Sequence, residues 1–191
     1  MGEPVKRTGS ETRAEVQRVA LALFTTKGFE ATSLREIAEQ LGITKAALYY
    51  HFTSKDDIVH SLVAARLAEL AELLAWARSQ EPGPDLLERT VLRWVDSTAV
   101  DKLRGIRFAN ANPTVLRNLG AKLSIREGLA ALAELLAGKD AAPKRQLLVR
   151  MALLSINLAV TAAMGTQHTD EEIVAAAKEM ALALLSRLRE L

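Results

Sequence analysis

Residues 32–59 read TSLREIAEQLGITKAALYYHFTSKDDIV, and their spacing decides how the N-terminal part of the chain folds. Leu34, Ile37, Ala38 and Leu41 recur at helical intervals, which gives one short helix a single apolar face. Thr32 or Ser33 ahead of it supplies a side-chain oxygen for the unpaired N–H groups of its first turn. Gly42 follows as the residue able to take a left-handed turn. Thr44 caps a third, shorter helix to about Tyr50, and Ser54 with Asp57 forms a capping box that opens a long fourth helix to about Ser79. Two short helices across a Leu-Gly-Ile turn, with an aromatic-rich end leading into a third, predict a helix-turn-helix. The second short helix is then the element offered to a DNA major groove.

Outward from this stretch the helical pattern continues. Val16, Val19, Ala20, Leu23 and Phe24 predict a first helix from about Glu11 to Lys27, with Gly28 as its C-cap. Residues 1–9 read as a loose tail. The run Gln80-Glu-Pro-Gly-Pro-Asp85 is the clearest break, since two prolines and a glycine cannot continue a helix. Beyond it, helices are predicted at about 85–98, 101–110, 113–137, 143–165 and 170–189, the last opened by a capping box of Thr169 and Glu172. No strand alternation, repeat or low-complexity tract interrupts them. The expected fold is all-α with about nine helices: a tail at 1–9, a helix-turn-helix domain at 10–53 and a helical domain at 54–191.

Composition agrees with this class. Of 191 residues 49% are apolar and only 4% aromatic, so a core can form and helices are favoured over β-rich architectures. There is no Cys, which excludes disulfides, thiolate nucleophiles and Cys-ligated metal or iron–sulfur sites. The net charge of +2 is too small to argue for a nucleic-acid partner. Residues 1–60 carry eight Lys/Arg and eight Asp/Glu, so any basic footprint is local, as between Lys45 and Lys55. The polar start has no apolar stretch of signal-peptide length. Met151 to Met164 is shorter than the roughly 20 residues needed to span a bilayer, so a buried helix, no membrane partner and a cytoplasmic setting are expected.

Within residues 32–59 the roles divide. Ala38 lets the two short helices approach, Gly42 makes the turn and Leu48 plugs the reading helix into the core. Thr44, Lys45, Ala46, Ala47, Tyr49 and Tyr50 then point outward. Small side chains at 46 and 47 let the backbone deep into the groove, where a methyl can touch a thymine methyl. Lys45 can reach a guanine edge or a phosphate, and the hydroxyls of Thr44 and Tyr49 suit phosphate oxygens. Adjacent Tyr49 and Tyr50 cannot both face inward, whereas Phe29 and Phe52 fit the core.

These residues resemble the DNA-binding region of the tetracycline-repressor (TetR) family of bacterial transcriptional regulators. The resemblance is carried by Thr32-Ser33, Ile37-Ala38, Gly42-Ile43-Thr44, Leu48-Tyr49, His51-Phe52 and Ser54-Lys55, with Leu23-Phe24 and Gly28-Phe29 before them. It covers roughly residues 12–60. One departure is Ala46, where many members carry Gly. The resemblance implies DNA contacts from Ser33, Leu34 and Arg35 at the start of the second helix. It implies further contacts from Thr44, Lys45, Ala46, Ala47, Tyr49, Tyr50 and His51 on the reading helix, and from Lys55 to a phosphate. His51 fits equally well as a structural residue closing the short helix.

The resemblance also implies a C-terminal helical domain that encloses a pocket for a small-molecule effector and forms a homodimer on a palindromic double-stranded operator. Met151 and Leu158 lie in a helix apolar almost all round, and Ile173, Ala177, Met180, Leu184 and Leu188 form a stripe on the last helix. Such surfaces suit a dimer interface. Pocket candidates are Trp76, Trp94, Phe108 and Met151, with Arg104, Arg107, Asn110, Asn112, Asn157 or Thr161 as polar anchors. Each Trp equally suits a plain core position. Asn157 is the most suggestive, because an amide in so apolar a helix needs a buried partner.

Enzyme readings find little support. The histidines at 51, 60 and 168 lack HExxH spacing, and there is no Gly-rich phosphate loop or Ser elbow. His168 with Asp170 is a weak metal candidate, and no cofactor is expected. The competing binding reading is a helix-turn-helix regulator without a ligand, controlled by protein partners.

Overall fold

The computed structural model describes residues 8–83, 85–98, 100–119 and 121–190. Among them are eleven α-helices and no strand: α1 (Gly9–Thr26), α2 (Leu34–Leu41), α3 (Lys45–His51), α4 (Lys55–Ser79), α5 (Leu86–Asp96), α6 (Val100–Ala111), α7 (Pro113–Asn118), α8 (Ala121–Ala137), α9 (Pro143–Leu153), α10 (Ser155–Ala162) and α11 (Asp170–Arg189). The all-α class is as expected; the two extra helices come from breaks that periodicity hides. The stretch expected as one helix at 113–137 parts after Asn118, where Leu119 has φ −84° and ψ 0°. The stretch expected at 143–165 parts at Leu154, with φ −88° and ψ 0°, and its halves are bent by 59°. Neither Leu119 nor Leu154 is a helix-breaking residue type. No single helix among the described residues is long and apolar enough to cross a membrane. Of the expected tail, residues 1–7 lie outside the described residues, while Thr8 and Gly9 already start α1.

Contacts divide the chain into two compact units, Met1–Val63 and Ala64–Leu191. In the first, Val16, Ala20, Phe24, Phe29, Ile37, Ala38, Leu48, Phe52 and Ile58 are buried. Phe24 and Phe29 meet edge-to-face with ring centroids 5.0 Å apart. Capping fixes the helix starts. Thr8 with Glu11 and Ser33 with Glu36 form full capping boxes, and Thr44 Oγ1 accepts from Ala47 N at 3.1 Å. Such caps contribute typically about 1 kcal/mol each. Ser33, not Thr32, caps α2; Thr32 is buried and donates to the Gly28 carbonyl at 2.8 Å. At the start of α4, Asp57 N donates to Ser54 Oγ at 3.0 Å, but the Asp57 carboxylate turns to Thr53 N, so the expected box is only half formed.

The second unit is built around Leu70, Leu73, Val91, Trp94, Leu103, Leu132, Leu153, Ile156, Ala177 and Leu185. Its last helix is opened by the Thr169–Glu172 capping box.

Candidate nucleic-acid interface

The α2–α3 turn is made by backbone geometry. Gly42 takes φ 66° and ψ 28°, and Ile43 N closes back on the Ala38 carbonyl at 3.1 Å. A side chain at this left-handed position would cost about 1–2 kcal/mol. The turn sets α3 on a core anchored by the fully buried Leu48. Thr44, Lys45, Ala46, Ala47, Tyr49 and Tyr50 are left exposed, Tyr49 at 43% and Tyr50 at 86%. The Tyr50 ring meets the neighbouring His51 ring edge-to-face with centroids 5.1 Å apart, and most of its surface is left open to an outside partner. Lys45 Nζ lies 5.4 Å from the Tyr49 ring centroid, which groups one cation and one hydroxyl on the same face.

The other sequence-predicted contacts are placed differently. Ser33 is occupied as a cap, and Leu34 is half-buried beside it. Arg35 is exposed and pairs with Glu39 at 2.7 Å, a hydrogen bond that raises its pKa. Such a surface pair is screened by solvent and weak enough to be exchanged for a phosphate. Glu36 is held by Lys27 and by Ser33, which lower its carboxyl to about 2. His51 is half-buried, and its carbonyl accepts from Arg13 Nη1 at 2.8 Å. The Arg13 guanidinium also lies 4.2 Å from the Phe52 ring centroid. Arg13 therefore pins the end of α3 to α1, a role no local pattern announces.

Lys55 already has partners within its own unit. Its Nζ donates to the carbonyls of Phe29 at 2.6 Å and Glu30 at 3.2 Å and sits 4.6 Å from the Phe29 ring centroid. Two of its three N–H groups thus stitch α4 to the loop after α1, leaving one for a phosphate.

In the second unit, the sequence-predicted pocket residues do not share one environment. Trp94 and Phe108 are buried; Trp76, Arg104, Arg107, Asn112 and Asn157 are half-buried; Asn110, Met151 and Thr161 are exposed. Arg107 is tied to Asp170 at 2.5 Å, and Asn110 Nδ2 donates to Thr161 Oγ1 at 3.0 Å. Asn157 is not the buried unpaired group of its helix. That group is Ser155, whose fully buried hydroxyl has no partner, and the other such atom among the described residues is Trp94 Nε1. His168 faces Glu172 at 3.5 Å, and no group of three or more potential metal ligands forms among the described residues.

The dimer candidates also separate. Ile173, Ala177 and Leu188 are buried in this chain's own core, because the stripe on α11 packs on α5, α9 and α10; Met180 and Leu184 are half-buried. Met151 and Leu158 are exposed, as are Leu147 and Leu154.

With this geometry in view, the relatives of the chain fall into one group. Residues 18–62 match the model of the bacterial regulatory proteins of the tetR family, N-terminal domain. The chain is 32% identical over 106 residues to the HTH-type transcriptional regulator AcrR of Shigella flexneri, covering 54% of this chain and 49% of that protein. It is 31% identical over 109 residues to the HTH-type transcriptional repressor BepR of Brucella suis, covering 56% and 52%. Residues 18–62 thus carry the N-terminal domain of the TetR family. The match spans about half the length of these curated relatives.

Likeness of fold extends further. The solved structure of the ketosteroid transcriptional regulator KstR2 of Mycobacterium tuberculosis superposes with a TM-score of 0.66 at 17% identity, covering 97% of this chain and 94% of that one. That of Mycobacterium smegmatis AmtR gives 0.61 at 24% identity, covering 98% of both. The fold shared with these solved structures therefore runs through the second unit as well.

Proposed function

We propose that this TetR-family chain is a transcriptional repressor that binds a palindromic operator as a homodimer and is released by a small-molecule effector. Residues 10–53 would be the reader and residues 54–191 the effector-binding and dimerisation part, working in the cytoplasm where the operator lies. The observation that carries the reading is the outward face of α3: Lys45, Tyr49 and Tyr50 exposed on a helix locked from behind by Leu48. Ala46 and Ala47 keep that face shallow enough for a major groove. The names of its relatives, a regulator and a repressor, support the same direction of control. Helix α4 runs unbroken through the boundary between the two units, so a ligand that favours one arrangement of the dimer would shift the spacing of its two readers.

The test begins with selecting genomic fragments bound by the full chain and measuring affinity for the recovered site. Lys45→Ala and Tyr49→Ala are expected to weaken binding about tenfold or more each, and affinity is expected to fall steeply with salt. Unchanged affinity in both variants, or no salt dependence, overturns the assignment of α3 as the reader.

A further inference from the structure

Trp94 of α5 is 3% exposed, and its indole N–H has no hydrogen-bond partner. Native structures rarely leave a buried donor unpaired, because it has lost its water without replacement. Over the same indole, 3.6 Å from the ring centroid, lies the guanidinium of Arg66 from α4. The Arg66 side chain is only 18% exposed and donates from Nη1 to Glu69 Oε2 at 2.9 Å. Its other N–H groups have no partner among the described residues, although a guanidinium offers five. The same Glu69 oxygen also holds Lys102 Nζ at 3.1 Å. Two cations therefore share one carboxylate beside an unsatisfied donor. Burial disfavours the charge on Arg66 and lowers its pKa, so a further anion at this place would be stabilised.

We infer that the second unit binds an organic monocarboxylate with an apolar body, its carboxylate bridging the Trp94 indole N–H and the Arg66 guanidinium. This deepens, and rests on, the reading of that unit as effector-binding. Stacked indole and guanidinium groups present donors at two heights, which suits the two oxygens of a carboxylate. A monoanion matches the single surplus charge, whereas a phosphate monoester carries close to two at neutral pH. A neutral acceptor would satisfy the indole but leave the surplus cation unpaired. Trp94 belongs to an apolar core cluster with Leu70, Leu73, Val91, Val95 and Leu103, none of whose side chains carries a polar group.

The test uses the full chain with octanoate, benzoate and the neutral octanamide, reading thermal stability, tryptophan fluorescence and operator release together. At least one carboxylate is expected to raise the melting temperature, and octanamide to bind at least tenfold more weakly than octanoate. Trp94→Phe keeps an aromatic face, on a smaller ring, and removes the N–H; it is expected to weaken carboxylate binding about tenfold. Arg66→Gln is expected to abolish the preference for octanoate over octanamide, an effect that a merely structural role would not produce. Octanamide binding as tightly as octanoate, no carboxylate binding at all, or parental affinity in Trp94→Phe each overturns the inference. Operator release by neutral compounds alone would sustain the effector reading while overturning the carboxylate. Carboxylate binding without operator release would sustain the site and overturn the effector reading.

Discussion

Glu36 shows how one side chain sets the start of α2. Its carboxylate accepts from Ser33 N at 2.9 Å and Ser33 Oγ at 3.0 Å and pairs with Lys27, which is the largest cause of its lowered pKa of about 2 against an ordinary 4.5. Because the folded pKa lies below the unfolded one, the unfolded chain binds more protons between the two values. Glu36 therefore contributes stability above about pH 4.5, and that contribution is lost as pH falls toward about 2. Glu36→Gln is expected to lower the melting temperature near neutral pH, with the gap to the parent closing as pH drops from about 5 to about 2. Circular dichroism melts across that range check it, and a gap constant with pH would refute the linkage. Residue-scale legibility follows the same chemistry. The Ser33–Glu36 box was readable because its members lie three positions apart on one helix. Lys27 to Glu36, Arg13 to His51 and Arg66 to Trp94 were not, since each pair is brought together only by tertiary packing.

At the scale of elements, helix types and starts were legible and two interruptions were not. Gly42 and the prolines near residue 82 announce their breaks chemically, whereas Leu119 and Leu154 interrupt runs that read as continuous helix. Packing between helices was equally hidden, and Gly128 makes the point. It sits inside α8, where Gly costs about 1 kcal/mol relative to Ala, yet a Cβ there would come within 2.5 Å of Leu70 Cδ2 on α4. Leu70 is 2% exposed, so its side chain has little room to move aside. The overpacking penalty, about 1–3 kcal/mol, should exceed the gain in helix propensity. Gly128→Ala is therefore expected to destabilise the chain by about 1 kcal/mol, and the same change in a Leu70→Ala background to stabilise it by up to about 1 kcal/mol. Denaturant titrations of the four proteins measure this. The same sign in both backgrounds would show that α4 and α8 are not in contact through this pair.

For the whole molecule, the proposed homodimer turns on which apolar surface would meet a second copy. The stripe on α11 was legible as apolar but not as inward-facing, because spacing alone cannot say which neighbour an amphipathic helix covers. Ile173, Ala177 and Leu188 complete this chain's own core. Exposed apolar residues lie elsewhere: Leu147, Met151, Leu154 and Leu158 recur every three or four positions along α9 and α10, Leu147 at 59% and Leu158 at 46% exposed, with Leu182 exposed on α11 and Leu135 and Met164 exposed besides. Their neighbours Val149, Ala152, Leu153, Ile156 and Val160 face the core, so the two helices present one face inward and one outward. An isologous pairing of that outer face would bring two readers onto one palindromic site. Met151→Glu with Leu158→Glu is expected to give a monomer by light scattering at micromolar concentration, with parental helix content. Operator affinity is expected to fall by two orders of magnitude or more, on the order of the gain from tethering two half-site readers. Ile173→Glu should behave differently, unfolding the unit rather than separating the copies, because it places a charge inside the core. If the double variant remains a dimer, the outer face of α9 and α10 is not the interface. If Ile173→Glu is instead a folded monomer, the interface lies along the original stripe on α11.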